Sequence, residues 1–188
     1  MHDNFELLAD GLDVQPLIDL LGANPELWNA ITVRQEFTGT AHHDTECIFV
    51  LGPREFTPEA YFGELDALDY PAVHVLMPAL LPVLKPVFDQ LGITELGRIL
   101  IVRLKAGGVI DEHIDEGRYA EHFSRFHVVL TATEYSELTV GGETQFMQPG
   151  ETWWFNHRKP HSGSNIGTAP RIHLIFDAVT PRYKVHVS

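Results

Sequence analysis

Arg98-Ile-Leu-Ile-Val-Arg-Leu104-Lys-Ala-Gly-Gly108 reads as one strand and the turn that ends it. Apolar, largely β-branched residues run through its middle, and Ala106-Gly107-Gly108 closes it. Downstream the same grammar repeats. Short strands are expected at 109–115, 125–133, 138–140, 143–147, 151–155 and 171–179, with Gly141-Gly142 as a two-residue hairpin turn and Pro149-Gly150 as another turn. Many short strands without intervening helical patterns point to an antiparallel sandwich or barrel, not to βαβ units. Two Greek keys of this kind make a jelly roll.

Upstream the pattern is mixed. Leu17, Ile18, Leu20 and Leu21 form an apolar stretch that stops at Gly22, where a helix C-cap would sit, and Asn24-Pro25 opens a turn. Residues 28–37 and 45–51 are rich enough in β-branched and aromatic side chains to suggest strands, the second broken by Gly52-Pro53. Thr57-Pro58-Glu59 looks like an N-cap with proline in the first turn, leading into a helix to about Leu68. Leu80, Leu84, Val87, Phe88 and Leu91 recur at helical spacing up to Gly92. Pro82 and Pro86 argue that this helix starts near Pro82, since each removes an amide donor. The expected fold is thus mainly β with flanking N-terminal helices: a cupin-like double-stranded β-helix, or jelly roll. It reads as one domain over 1–188, with 1–96 bracing the sheet and free of obvious chemistry, and 97–180 forming the core.

Composition narrows the partners. The chain carries 13 Lys and Arg against 26 Asp and Glu, a formal charge of −13. Neutralising a phosphate backbone requires clustered basic residues, so no nucleic-acid partner is expected. Cys47 is the only cysteine, which excludes an intrachain disulfide and a cysteine-based zinc site. Met-His-Asp-Asn-Phe-Glu lacks the basic and apolar regions of a signal peptide, and no apolar run looks long enough for a bilayer span of ~20 residues. A cytoplasmic protein without a membrane partner is the expectation.

His113-Ile-Asp115 follows the first strand and its Gly-Gly turn. Alone, a His-x-acid match means little: 11 His and 26 acidic residues in 188 give about 1.5 such matches by chance. His42-His43-Asp44 is a second one. Placement separates them. Residues two apart on a strand share a face, so His113 and Asp115 can reach one ion while Ile114 points away. His161 lies between two expected strands and can return across the sheet as a third ligand. His157, beside Arg158 and Lys159, reads as a loop-surface residue. Two imidazoles and a carboxylate with open positions opposite are the facial triad of non-haem Fe(II) oxygenases. Arg171 opens an apolar strand, where an Arg is usually a strand-end residue with its head in solvent; the functional alternative is a guanidinium clamping a carboxylate. Arg125 and His127 alternate, so they share a face. Arg103 and Arg118 are expected in surface salt bridges.

Taken together, Gly107-Gly108, His113-x-Asp115, Arg125-x-His127, Pro149-Gly150-Glu151-x-Trp153-x-Phe155-Asn156, His161-x-x-x-Asn165 and Arg171-Ile-His-Leu-Ile-Phe-Asp177 resemble the aspartyl/asparaginyl β-hydroxylase family over about residues 97–180. The resemblance implies a 2-oxoglutarate- and Fe(II)-dependent dioxygenase that uses O2. It implies Fe(II) held by His113, Asp115 and His161, and the distal carboxylate of 2-oxoglutarate gripped by Arg171, with Arg125 and His127 close to that cosubstrate. The animal enzymes that name the family carry glycine where this chain has Asp115; bacterial relatives and the similar cis-proline hydroxylases keep the acid. A small-molecule or peptide substrate, an amino acid free or in a chain, is the family-level expectation. The competing class is a non-oxidative cupin-like protein, either a metal-dependent isomerase or lyase or a small-molecule sensor. Oligomeric state is left open by the sequence.

Overall fold

The structure, a computed structural model, describes residues 4–36 and 40–183. Strands dominate it. In chain order they are β1 (Phe5–Ala9), β2 (Thr45–Gly52), β3 (Leu68–Asp69), β4 (Glu95–Leu104), β5 (Gly108–His113), β6 (Ser124–Thr131), β7 (Ser136–Val140), β8 (Glu143–Gln145), β9 (Thr152–Phe155), β10 (His161–Asn165) and β11 (Arg171–Val179). The larger sheet has the order β1-β9-β6-β11-β4-β2-β3, and the smaller β5-β10-β7-β8. The pairings in both sheets are antiparallel. This is the expected jelly-roll architecture, with the helices α1 (Gln15–Ala23), α2 (Val33–Glu36), α3 (Pro58–Gly63), α4 (Ala72–Leu91) and α5 (Gly117–His122) added.

Two-residue alternation gives the large sheet two unlike faces. Ile99 and Ile101 of β4, Phe126, Val128 and Leu130 of β6, and Leu174, Phe176 and Ala178 of β11 face one way. They pack on Leu17 and Leu21 of α1 and on Leu76, Leu80, Leu84 and Val87 of α4 in one apolar core. The intervening residues point the other way, toward the small sheet and, on β2 and β4, toward Ile31, Phe56, Tyr61 and Tyr70. Some remain apolar there, such as Val129, Trp153 and Phe155 against Leu138 and Val140 of β7. Others, on β6 and β11, are Arg, His and Asp.

Several expectations need correcting. Residues 28–36 are not a strand: a 3-10 turn spans Pro25–Asn29 and α2 follows, while Phe37 lies outside the described residues. Pro25 and the helix formers Arg34, Gln35 and Glu36 outweigh the neighbouring β-branched residues. The helix expected from near Pro82 begins ten residues earlier, at Ala72, and keeps Pro78, Pro82 and Pro86 inside it. Their four-residue spacing puts all three on the exposed side, where water reaches the carbonyls left without amide partners. With 20 residues and an 18-residue stretch of mean hydropathy 1.4, α4 is also long and apolar enough to cross a membrane, contrary to expectation. Its inward stripe packs in the core and its outer face carries the Lys85–Asp89 ion pair, as in a core helix.

Smaller shifts follow simple causes. The helix after Thr57 is real, and Thr57 caps it by accepting from Ala60 N, but it ends at Gly63. Gly22 falls inside α1 instead of after it. Of the later strands, β5 stops at His113, β6 at Thr131 and β8 at Gln145. Strands β1 and β10 were not anticipated; His-Ser-Gly-Ser-Asn in β10 has no β-branched or apolar residue to announce it. The Gly141-Gly142 turn is as expected, with φ of 55° and 83°, a pair of left-handed positions that a tight hairpin demands.

Candidate active site

His113, at the end of β5, pairs directly with His161, at the start of β10. Their rings lie 4.2 Å apart, centre to centre. Asp115 lies two residues beyond His113, and its amide donates to the His157 carbonyl (3.1 Å), which carries the chain past the strand end in register. Ligand atoms of His113, Asp115 and His161 all fall within 4.8 Å of one another. The two rings are oriented alike: His113 Nδ1 bonds the Asp111 carbonyl (2.8 Å) and His161 Nδ1 that of Lys159 (2.9 Å). A carbonyl accepts only, so each Nδ1 carries the proton and each Nε2 is left as a lone-pair donor. That is the usual outer support of a metal-binding histidine. Burial lowers the His161 pKa to about 4, which keeps the imidazole neutral at ordinary pH. The donor set of two nitrogens and one carboxylate oxygen fits a divalent iron ion.

Asp115 is held by more than its backbone. Arg125 on β6 donates from Nη1 to Asp115 Oδ2 (2.6 Å) and from Nε and Nη2 to the two oxygens of Asp177 (2.9 and 3.1 Å). Arg125 and Asp177 stand opposite each other in the β6–β11 ladder. The Tyr119 hydroxyl donates to Asp177 Oδ2 (3.1 Å) and accepts from Arg98 N (2.7 Å). Burial is the largest single influence and would push the Asp115 carboxyl up, but the Arg125 guanidinium together with His157, His161 and His113 outweighs it and holds the group well below the usual carboxylate range. Asp115 is therefore a fixed anion with Oδ1 turned toward His113 Nε2 (3.8 Å).

A narrow cavity between the sheets leads from His113 and His161 past His127 and His173 to Arg171. Arg171 is 5% exposed. Its one hydrogen-bond partner among the described residues is the Glu137 carbonyl (3.2 Å), and no carboxylate pairs with it. Burial lowers its pKa to about 10, which leaves it charged at neutral pH. The expected alternative, a strand-end head in solvent, does not hold. Asn165 fixes the turn that delivers this residue, donating to the carbonyls of Lys105 (3.0 Å) and Ala169 (2.9 Å). His127 and His173 meet through their Nδ1 atoms (3.0 Å), and both Nε2 atoms are buried without partners. Burial, followed by Arg125 at His127 and by Arg171 at both, keeps the two rings neutral. One ring then donates at Nδ1, so the other carries its proton on Nε2, and the pair offers this cavity one donor and one acceptor.

Residues 68–181 match the family model described as Aspartyl/Asparaginyl beta-hydroxylase. The chain belongs to that family. A curated relative, L-proline cis-4-hydroxylase of Rhizobium meliloti (strain 1021), is 32% identical over 77 residues, which are 41% of this chain and 28% of that enzyme. The match thus spans under a third of the relative's length. A solved structure from Burkholderia pseudomallei, described as an oxidoreductase of the 2OG-Fe(II) oxygenase family, superposes with a TM-score of 0.54 at 12% identity. That superposition covers 90% of this chain and 92% of the other. It shows the shared fold.

In this member of the family, the N-terminal region does more than brace the sheet. A second cavity, of about 510 Å3, opens on the triad from outside, and Arg34, His42, Tyr61 and Phe62 line it beside His113 and Asp115. His42 lies edge-on to His113 (4.8 Å) and its Nδ1 is buried without a partner. Asp44, the other half of that second His-x-acid match, instead accepts from Val109 N (3.2 Å) and so anchors β5. His157 is buried, not on the loop surface: its Nε2 bonds the Ala120 carbonyl (3.1 Å). Alternation through Trp153, Phe155 and His157 was the available signal for it. His173 shares the Arg171 face two residues on and lines the same cavity, a signal that alternation in β11 also carries. Arg103 pairs with Glu46 and covers Trp28, as a surface salt bridge should.

Proposed function

We propose that this chain is a hydroxylase that uses Fe(II), 2-oxoglutarate and O2 to oxidise an unactivated C–H bond of a small-molecule or peptide substrate, an amino acid free or in a chain. The observation that carries the reading is Arg171. A buried guanidinium without an anion is costly to keep, and it lies at the end of a cavity that begins at two metal-competent histidines. A dicarboxylate that reaches from the ion to Arg171 resolves that cost.

The residues divide the work. Nε2 of His113, Nε2 of His161 and Oδ1 of Asp115 would hold the iron. When bound, the ion would supply the centre at which O2, the oxidant, is activated, with 2-oxoglutarate as the co-reductant that is oxidised to succinate and carbon dioxide. Arg125 keeps Asp115 ionised and aimed, and Asp177 and Tyr119 keep Arg125 in place. Arg171 takes the distal carboxylate by paired, charge-assisted hydrogen bonds. His127 and His173 remain neutral beside it and do not compete for the anion. Phe155 and Val102 help to keep water out of the inner cavity. The outer cavity receives the substrate, and the L-proline hydroxylase among its relatives supports an amino acid there.

The test is succinate formation by protein reconstituted anaerobically with Fe(II), then given 2-oxoglutarate and oxygen. Slow turnover without added substrate is expected, and its loss in His113→Ala. Arg171→Met should bind metal normally but bind 2-oxoglutarate about 100-fold more weakly, within the about 2–5 kcal/mol that truncating one partner of a buried charge pair costs. A non-oxidative cupin-like protein would be indifferent to 2-oxoglutarate in either form. Absence of 2-oxoglutarate binding to the metal-loaded protein sinks the hydroxylase reading.

A further inference from the structure

Among the described residues, one more buried guanidinium in this region lacks both an anion and carbonyl partners. Arg125 is taken by two carboxylates. Arg98 donates to the carbonyls of Tyr61 (2.7 Å) and Glu64 (3.0 Å) and lies over the Tyr119 ring. Arg34 has nothing comparable. It is 9% exposed, and among the described residues its hydrogen-bond partner is the Cys47 thiol, at 4.0 Å. Burial pushes the Cys47 pKa up, so that sulfur is neutral at ordinary pH. Arg34 lines both the outer cavity and the inner one. So does His42, with its unpartnered Nδ1. The acids at the outer mouth, Asp111, Glu112 and Glu116, form no ion pair with Arg34, and Asp115 is committed to Arg125.

Two separate buried charges in adjoining cavities, which share Arg34, His42 and His113 in their linings, call for two separate anions. We propose that Arg34, assisted by His42 Nδ1, binds the carboxylate of the prime substrate, and that this substrate is a free amino acid. The inference rests on the hydroxylase reading, which assigns Arg171 to 2-oxoglutarate and leaves Arg34 for another acid. A buried anchor suits a free α-carboxylate, which a residue inside a polypeptide does not have. The outer cavity, at about 510 Å3, has the size of a small-molecule pocket. Phe62 and Ile114 give it an apolar wall for the side chain.

The probes are the standard L-amino acids and their α-carboxamides, offered to full-length Zn(II)-loaded protein saturated with 2-oxoglutarate. Binding is read by saturation-transfer NMR and calorimetry, with no turnover required. At least one amino acid should bind, and its amide about 10-fold more weakly or worse, since a charge-assisted hydrogen bond is lost. Arg34→Met should weaken the acid by a similar factor and leave 2-oxoglutarate affinity unchanged. Arg34→Lys should fall between. The melting temperature of ligand-free Arg34→Met should not drop, because an unpaired buried charge has been removed. Equal binding of acid and amide by the wild-type chain overturns the proposal without any variant. It is equally overturned if no amino acid binds, if Arg34→Met binds the acid as tightly as wild type, or if that variant loses 2-oxoglutarate. Wild-type protein that fails to take up 2-oxoglutarate would instead refute the underlying reading.

Discussion

Apart from Ile175, which lies among the polar set, the two faces of β11 hold opposite kinds of residue within nine positions. Leu174, Phe176 and Ala178 are sealed under the helices with no exposed surface. Arg171, His173 and Asp177 are almost as buried, yet each is polar and two are charged. The first set stabilises the fold through burial of hydrocarbon. The second is costly to bury and is retained where cavities and a donor triad lie. Alternation therefore divides stability from chemistry within a single strand, and each face can be perturbed with the other as its control.

The largest effect is expected on the apolar face. Phe176 stacks on Phe126 (5.0 Å between centres) and meets Phe88 edge-on (5.1 Å). Phe176→Ala should cost about 3–5 kcal/mol in urea unfolding, the range for a buried aromatic cut to alanine. Metal affinity of the folded variant should match wild type. A loss of affinity under native conditions would show that the two faces are not separable.

The polar face should respond to pH instead. Burial keeps the His161 pKa at about 4 in the folded chain, against about 6.5 when unfolded. His42, His127, His157 and His173 are lowered by burial too. As pH falls through this window the unfolded chain takes up protons first, so stability that is full above about 6.5 is lost toward about 4. For His161 alone the limit is about 3 kcal/mol. Urea midpoints of metal-free protein at pH 7 and pH 5 should differ accordingly, and His161→Asn should reduce the difference. A flat profile would mean that these rings are not buried neutral in the folded state.

The same division explains what could be read from sequence. The alternation in β4, β6, β9 and β11 is local and strong, so the jelly roll and the positions of Arg125, His127 and Arg171 were legible. His113 and Asp115 were legible because a strand and a turn precede them. Arg34 and His42 were not, since long-range packing brings α2 and the 40s segment over the triad and no local pattern encodes that. The mistaken strand at 28–36 concealed Arg34 further, by assigning the residue to a sheet. His157 was misjudged from its charged neighbours, although its own position continues the inward series of β9. The full length of helix α4 is hidden in the sequence because a single proline signals a helix end, whereas the four-residue spacing of these three puts the freed carbonyls on the solvent side.

The finest test of the polar face is the floor under Arg171. Gly163 of β10 lies directly against its guanidinium, and a Cβ there would sit 3.3 Å from Arg171 Nη1 and 3.5 Å from Nη2. Those atoms end a flexible side chain, so alanine would be accommodated by a shift of a few tenths of an ångström, with little cost to folding. The guanidinium would still be charged and buried, but the paired hydrogen bonds proposed for it with a carboxylate depend on direction as well as distance. Gly163→Ala should therefore weaken 2-oxoglutarate about 5-fold, equivalent to about 1 kcal/mol, with metal affinity and unfolding midpoint unchanged. Gly163→Val should weaken it further in the same sense. If both variants bind 2-oxoglutarate like wild type while Arg171→Met does not, Arg171 acts only as a buried charge. A graded loss shows instead that the small sheet sets the direction in which the guanidinium points.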